Sequence, residues 1–237
     1  MNEEEIKNIH VVQSRNVRHL KRVQKSMTMD INHYLIKNDT FQVGIKTKLY
    51  SLLYSALSES QFTQIIHTPF GFVHSEILKI QSERSLVDSW HLLLDLALKK
   101  VGNWETNSDL ALKRNKLKEL ITEYIEKPQE LRNKLAHGQW LFALNSKNTK
   151  ENETTTERIE KLNVVEISIW FEVHQYLCFI IRDLVQSPSK KFHFNYWINL
   201  TELEKFLEKS SAWTLEKRVE SLKIKYDNRK ITVPNTV

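Results

Sequence analysis

Glycine and proline are scarce in this chain, and this scarcity limits the folds that are open to it. Four glycines and four prolines occur among 237 residues, whereas average usage is about 7% and 5%. β-Sandwiches and barrels require many turns, and turns depend on these two residue types. Leucine, isoleucine, lysine and glutamate fill long stretches instead. We therefore predict a mostly α-helical bundle, formed by one domain with extensions.

Apolar spacing and helix-capping residues predict where the helices lie. Leu20, Val23, Met27, Ile31 and Leu35 recur at intervals of three and four, which predicts one long helix over residues 3–37. Further helices are expected over residues 40–66, 74–101, 108–127, 128–137 and 167–185.

The segment after Gly138 has a different pattern. An apolar and aromatic stretch, a polar loop and a second apolar stretch predict a β-hairpin inserted over about residues 139–165. The expected organisation is a long N-terminal helix at 1–37, a helical domain at 38–190 that contains the hairpin, and a C-terminal helical extension at 191–237.

The segment whose side chains are best suited to catalysis is Arg132-Asn133-Lys134-Leu135-Ala136-His137-Gly138. Pro128 favours a helix start just before it, and Gly138 favours a helix stop after it. Because an α-helix turns about 100° per residue, Asn133 and His137 lie on one face and Arg132 lies on a neighbouring edge. A cation, an amide and an imidazole can therefore border one pocket.

These residues resemble the motif of the HEPN superfamily (higher eukaryote and prokaryote nucleotide-binding), in which an arginine is followed by four to six residues and a histidine. The residue after the arginine is often Asn, Asp or His in that family, and here it is Asn133. The spacing alone carries little weight, because Arg84 and His91 also satisfy it. Asn133 and the Leu135-Ala136-His137-Gly138 ending carry the resemblance.

The resemblance implies a HEPN-like bundle and metal-independent RNA cleavage, without a cofactor, where two copies of the motif meet in a homodimer. RNA carries its own nucleophile, the 2′-hydroxyl, so the enzyme needs a proton-transfer group and a cation for the developing phosphorane charge. His137 would transfer protons, Arg132 would bind the phosphate and Asn133 would orient either the imidazole or a phosphate oxygen. A bacterial toxin or phage-defence effector is expected, with an antitoxin or regulatory protein as a further partner.

A structural interpretation of the same residues stays open. Arg132 could pair with Glu130 or Glu126 on its own helix, Asn133 could be a solvated helix residue, and His137 could only cap the last carbonyls. Some HEPN domains also keep the fold without activity, so the alternative function is a non-catalytic RNA-binding or adaptor module.

Two further sets of residues are candidates. Glu59, in a polar patch of the second helix, could orient Arg132 or His137, or it could be a solvated residue. A basic cluster on the first helix could bind RNA phosphates, could be a solvated face, or could lie beside an apolar stripe that pairs with a second copy. Its members are Arg15, Arg18, Lys21, Arg22 and Lys25.

The remaining composition sets the expected environment. The net charge is +6 and the pI is near 9.2, which suits a polyanionic partner. The single cysteine, Cys178, excludes a disulfide framework and is expected to be buried. No histidine grouping matches a metal motif, no secretory signal is visible, and residues 164–185 contain several charged side chains. A cytoplasmic protein without a metal or a membrane partner is expected.

Overall fold

The computed structural model describes residues 1–190 and 195–232, including the side chains of residues 1–188 and 195–228. Within these residues the chain is helical, and the only β-type pairing is an isolated antiparallel bridge between Leu144 and Glu151. The mostly α-helical class is confirmed. The helices are α1 (Glu3–Ile36), α2 (Thr40–Ile66), α3 (His74–Gln81), α4 (Leu86–Lys99), α5 (Ser108–Ile121), a π-helical turn (Thr122–Glu126), α6 (Lys127–Ala136), α7 (Glu153–Lys161), α8 (Val164–Lys190), α9 (Asn195–Ser210) and α10 (Leu215–Thr232).

Helix α1 begins at a capping box and lies along α2. The Asn2 side chain accepts a hydrogen bond from the backbone of Glu5 at 2.9 Å, and the Glu5 carboxylate accepts one from the Asn2 backbone at 2.8 Å. Near one end of the pair Ser60 donates to Gln13, and near the other Thr28 donates to Tyr50. These contacts make α1 and α2 antiparallel.

Helix α8 is the central element, as its apolar sequence predicts. Among the described helices it alone is long and apolar enough to cross a membrane, but 61% of its most apolar window is buried inside the bundle. It contributes to two apolar clusters. One surrounds Trp90 and contains residues of α1, α2, α3, α4, α5, α8 and α9. The other surrounds Tyr54 and Phe171 and contains residues of α1, α2, α6, α7 and α8. Its apolar side chains therefore form a large part of the core of the bundle.

The predicted return strand of the hairpin is wrong, because helix α7 occupies Glu153–Lys161. The Asn152 side chain accepts from the backbone of Thr155 at 3.1 Å and caps this helix. Ile159 is buried while Glu157 and Lys161 are exposed, so the segment buries one helical stripe rather than alternate residues. Residues 139–152 form a loop that is closed by a 2.7 Å hydrogen bond from the Asn152 backbone to the Ala143 carbonyl.

A π-helical turn connects α5 to α6, which carries the Arg132–His137 motif. Pro128 has no N–H group, so it cannot donate to the carbonyl of Tyr124 four residues earlier. The hydroxyl of buried Tyr54 donates to that carbonyl instead. Burial raises the pKa of Tyr54 well above its ordinary value, so the hydroxyl keeps its proton. The start of the motif helix is therefore attached to α2.

The C-terminal helices return to the first helix. The Arg218 guanidinium of α10 donates to the Asn32 side chain of α1 at 2.9 and 3.2 Å. Residues 191–194 and 233–237 of the predicted extension, including His193, lie outside the described residues. The division of the chain at residues 37 and 190 stays a prediction.

Candidate functional site

Helix α6 ends where the sequence predicts. His137 is the last residue with near-helical backbone, and Gly138 follows with φ of +78°. The backbone N–H of Gly138 donates to Leu135 at 3.1 Å, and that of Gln139 donates to Lys134 at 3.0 Å. This is the hydrogen-bonded turn that glycine favours after a helix, because the left-handed conformation costs it little. The turn exposes His137.

Arg132 is held between two side chains at the α6–α2 contact. One guanidinium nitrogen lies 3.7 Å from a carboxylate oxygen of Glu59, and another donates to the Asn133 side-chain oxygen at 3.2 Å. Gln129, one turn earlier, donates to the same Glu59 oxygen at 3.4 Å. The structure thus brings Arg132, Asn133 and Glu59 together, although Glu59 is 73 residues from Arg132 in sequence.

This arrangement shows which of the three expected carboxylates lies beside Arg132. In the structural interpretation, Arg132 pairs with Glu130 or Glu126 on its own helix. Glu130 instead lies 3.3 Å from Arg158 of α7. Arg132 meets the carboxylate of another helix, and its side chain remains 37% exposed. A partly exposed guanidinium with a fixed neighbour can still present donors to a phosphate.

His137 and Asn133 are both exposed at the end of the motif. In the part of the chain that the structure describes, the His137 imidazole has no hydrogen-bond partner. The Asn133 side chain contacts Arg132 rather than His137, so within one chain the amide positions the cation and not the imidazole. His137 can therefore meet a ligand without first breaking an internal contact.

The loop after the motif is tied to α6 by residues that the sequence did not single out. The Lys134 ammonium donates to the Leu144 carbonyl at 2.5 Å, and the Trp140 indole donates to the Leu135 carbonyl at 2.8 Å. No local pattern marks these contacts, because the path of the loop decides which carbonyls the side chains reach. Within this loop Leu141 and Phe142 remain 71% and 63% exposed. The motif thus has an apolar surface beside it.

The basic residues of α1 fall into two groups. Arg15, Arg18, Arg22 and Lys25 are exposed, and none of them has an ion pair among the described residues. Lys21 differs, because its ammonium donates to Gln175 of α8. Desolvation of that ammonium lowers the pKa of Lys21. Four of the five predicted RNA-binding cations therefore form a free basic stripe, and the fifth connects two helices.

Helix α2 lies between this basic stripe and the motif. Its neighbouring residues Glu59 and Ser60 face different helices: Glu59 meets Arg132 of α6, while Ser60 donates to Gln13 of α1 at 3.1 Å. Gln13 lies just before Arg15, where the basic stripe begins. The motif helix α6 and the stripe-bearing helix α1 therefore contact two faces of α2 that lie about 100° apart.

Two further reactive side chains, His174 and Cys178, are buried in the core. Burial lowers the pKa of His174 to about 3 and raises that of Cys178, so neither group is charged near neutral pH. The cysteine sulfur lies 3.4 Å from His174 Nδ1, inside the core. Arg84, of the second sequence match, lies in the turn before α4. Among the described residues no group of three or more His, Cys, Asp or Glu side chains is arranged to hold a metal ion.

Comparisons with protein-family models, with curated proteins and with solved structures find no match to this chain.

Proposed function

We propose that the chain is a HEPN-type endoribonuclease that acts as a toxin or phage-defence effector in the cytoplasm. The observation that carries the proposal is the exposed end of α6, where Arg132 is held by Glu59 and Asn133 while His137 faces solvent. A positioned cation and an available imidazole are the minimum that 2′-hydroxyl attack on RNA requires, and α6 carries both near its end.

The reaction proceeds without a covalent enzyme intermediate. One imidazole accepts the proton of the RNA 2′-hydroxyl, and O2′ forms a bond to the adjacent phosphorus. The bond from phosphorus to O5′ breaks, and a protonated imidazole delivers a proton to the leaving O5′. Arg132 stabilises the charge on the phosphoryl oxygens. The products are a 2′,3′-cyclic phosphate and a 5′-hydroxyl.

One chain contributes one His137, whereas the reaction uses both a base and an acid. A second copy, related by a two-fold axis, would supply the other imidazole. The exposed side chains of Leu141 and Phe142, close to His137 in sequence, suit such an interface. Light scattering of wild type and of Phe142→Asp tests it: a dimer that the substitution dissociates is expected, and a monomeric wild type would contradict the composite site.

The nuclease proposal is tested with end-labelled RNA and purified protein. Arg132→Ala and His137→Ala should each reduce cleavage by roughly a hundredfold or more, as removal of a proton-transfer group or an oxyanion donor does. Arg84→Ala is the matched control, because it removes an exposed arginine that is followed by six residues and a histidine, within the four to six that the motif allows. Products ending in a 3′-hydroxyl, activity that EDTA abolishes, or undiminished cleavage by both motif variants would refute the proposal.

A non-catalytic RNA-binding or adaptor module is the second candidate, and the unpaired cations of the basic stripe favour it. Binding to phosphates through Arg15, Arg18 and Arg22 would depend strongly on salt. Loss of RNA binding in the triple alanine variant, together with Arg132→Ala and His137→Ala variants that behave like wild type, would select this candidate over the nuclease.

A further inference from the structure

A surface groove lies between the C-terminal half of α1 and helix α10. Its volume is about 510 Å³, within the range of small-molecule sites. Each helix contributes a cation together with apolar or aromatic side chains. The residues that matter here are Met29, His33 and Lys37 of α1 and Leu222, Lys225 and Tyr226 of α10.

The groove continues the basic stripe of α1. Arg15, Arg18, Arg22 and Lys25 follow one another at intervals of three or four residues, and Met29 comes four residues after Lys25. At about 100° per residue all five fall within a narrow sector of the helix surface. From Arg15 to Lys37 this track is about 33 Å long, at 1.5 Å per residue.

Carboxylates are directed away from the groove. None of its lining residues is acidic. On α10, Glu220 and Asp227 lie roughly 150° or more around the helix from the direction of the groove residues. On α1, Asp30 lies 3.4 Å from Lys46 of α2, so its charge is already paired. The lining of the groove therefore contains Lys37 and Lys225 and no carboxylate.

The side chains that line the groove favour a nucleotide over an acidic peptide as its ligand. Met29 and Leu222 offer an apolar surface, and the Tyr226 side chain, 45% exposed, presents a ring at its edge. A base can stack on such a ring while the phosphates on either side meet cations. A peptide of acidic residues alone would meet Lys37 and Lys225 but would leave the apolar and aromatic surface uncovered.

We propose that the groove between α1 and α10 binds an unpaired nucleotide of single-stranded RNA, with its flanking phosphates on Lys37 and Lys225. The strand then continues along the basic stripe toward Arg15. RNA as the ligand rests on the proposed function, but the groove is separate from Arg132 and His137. It would hold the substrate while another part of the same strand is cut.

The test is fluorescence anisotropy with wild-type chain and a labelled 2′-O-methyl oligouridylate of about 16 nucleotides, near the upper site size for such grooves. The methylated probe cannot be cut by 2′-hydroxyl attack. Lys37→Ala/Lys225→Ala should lower the slope of log affinity against log salt by about 1.4, since each phosphate contact contributes about 0.7. Tyr226→Leu should weaken binding roughly 5- to 150-fold and leave the slope unchanged.

Lys79→Ala/Lys209→Ala is the matched control, because it removes two exposed lysines from the last turns of α3 and α9. A control that lowers the slope as much as the groove variant would overturn the proposal. So would full binding by Tyr226→Leu, or equal competition by polyglutamate at the same charge. Circular dichroism checks that all the variants are folded.

The groove proposal and the nuclease proposal can be refuted independently of each other. If groove variants lose binding while wild type never cuts unmodified RNA, the groove proposal stands and the nuclease proposal falls. If Arg132→Ala abolishes cleavage while groove variants bind and cut like wild type, the groove proposal falls and the nuclease proposal stands.

Discussion

Replacing Glu59 by Gln tests whether Glu59 positions Arg132 for catalysis or only contributes to the stability of the fold. The substitution keeps the shape of the side chain and removes its charge beside Arg132. At the observed 3.7 Å, Coulomb's law gives roughly 1 kcal/mol at the dielectric constant of water. The two side chains are 44% and 37% exposed, so solvent and salt reduce this further, to about 0.2–1 kcal/mol. A chain of this size should then lose less than about 4 °C in melting temperature.

Activity should respond more strongly than stability. Without the negative charge, Arg132 keeps its contact with Asn133 but is held less firmly against α2. A displaced guanidinium stabilises the transition state less well, so we expect roughly a 3- to 30-fold fall in kcat/KM. Glu130→Gln is the matched control, because it removes the same charge from a 3.3 Å ion pair on the motif helix that does not involve Arg132.

The assay is a double-mutant cycle on RNA cleavage, with melting measured in parallel. If Glu59 acts through Arg132, Glu59→Gln should have little further effect in the Arg132→Ala background. An equal fall in both backgrounds would refute the positioning role. So would a fall of the same size in Glu130→Gln, because that result would assign the effect to net charge.

Three further predictions concern the scaffold. Tyr54→Phe should cost about 1–3 kcal/mol of unfolding free energy, seen in urea titrations, because it leaves a carbonyl of the π-helical turn without its donor; no change would mean that this carbonyl finds another donor. Gly138→Ala should cost about 1–2 kcal/mol in thermal unfolding, from the positive φ alone, since nothing lies within 4 Å of the added carbon; Gly138→Asn should cost less. Burial alone would raise the pKa of Asp95, but hydrogen bonds from Arg114 and a neighbouring lysine outweigh it and hold the pKa below its ordinary value. Wild type should therefore be more stable than Asp95→Asn by roughly 1.5–3 kcal/mol. This difference should be fully present above the unfolded-state pKa near 4 and should disappear as the pH falls through the lower folded-state pKa. A difference that persists in strong acid would contradict this assignment.

Local sequence patterns predict those parts of the fold that depend on residues close together in the sequence. The ends of α6 follow from Pro128 and Gly138, whose effects act within one turn of the helix. The predicted return strand over residues 158–165 is wrong because the apolar content of a short segment does not distinguish a strand from a helix. In the folded chain the cap at Asn152 and the single buried stripe through Ile159 make α7 instead.

Short-range patterns were enough to predict the helical class, the long α1, the stop at Gly138 and the burial of Cys178, because propensity, capping and apolar period are properties of short segments. Packing between distant segments was needed to show that Glu59 is the carboxylate beside Arg132, that Lys21 contacts α8 while its basic neighbours have no ion pair, and that α10 forms a groove with α1. Each of these depends on which helices pack together and at what rotation. Long-range packing sets both, and no short-range pattern specifies them.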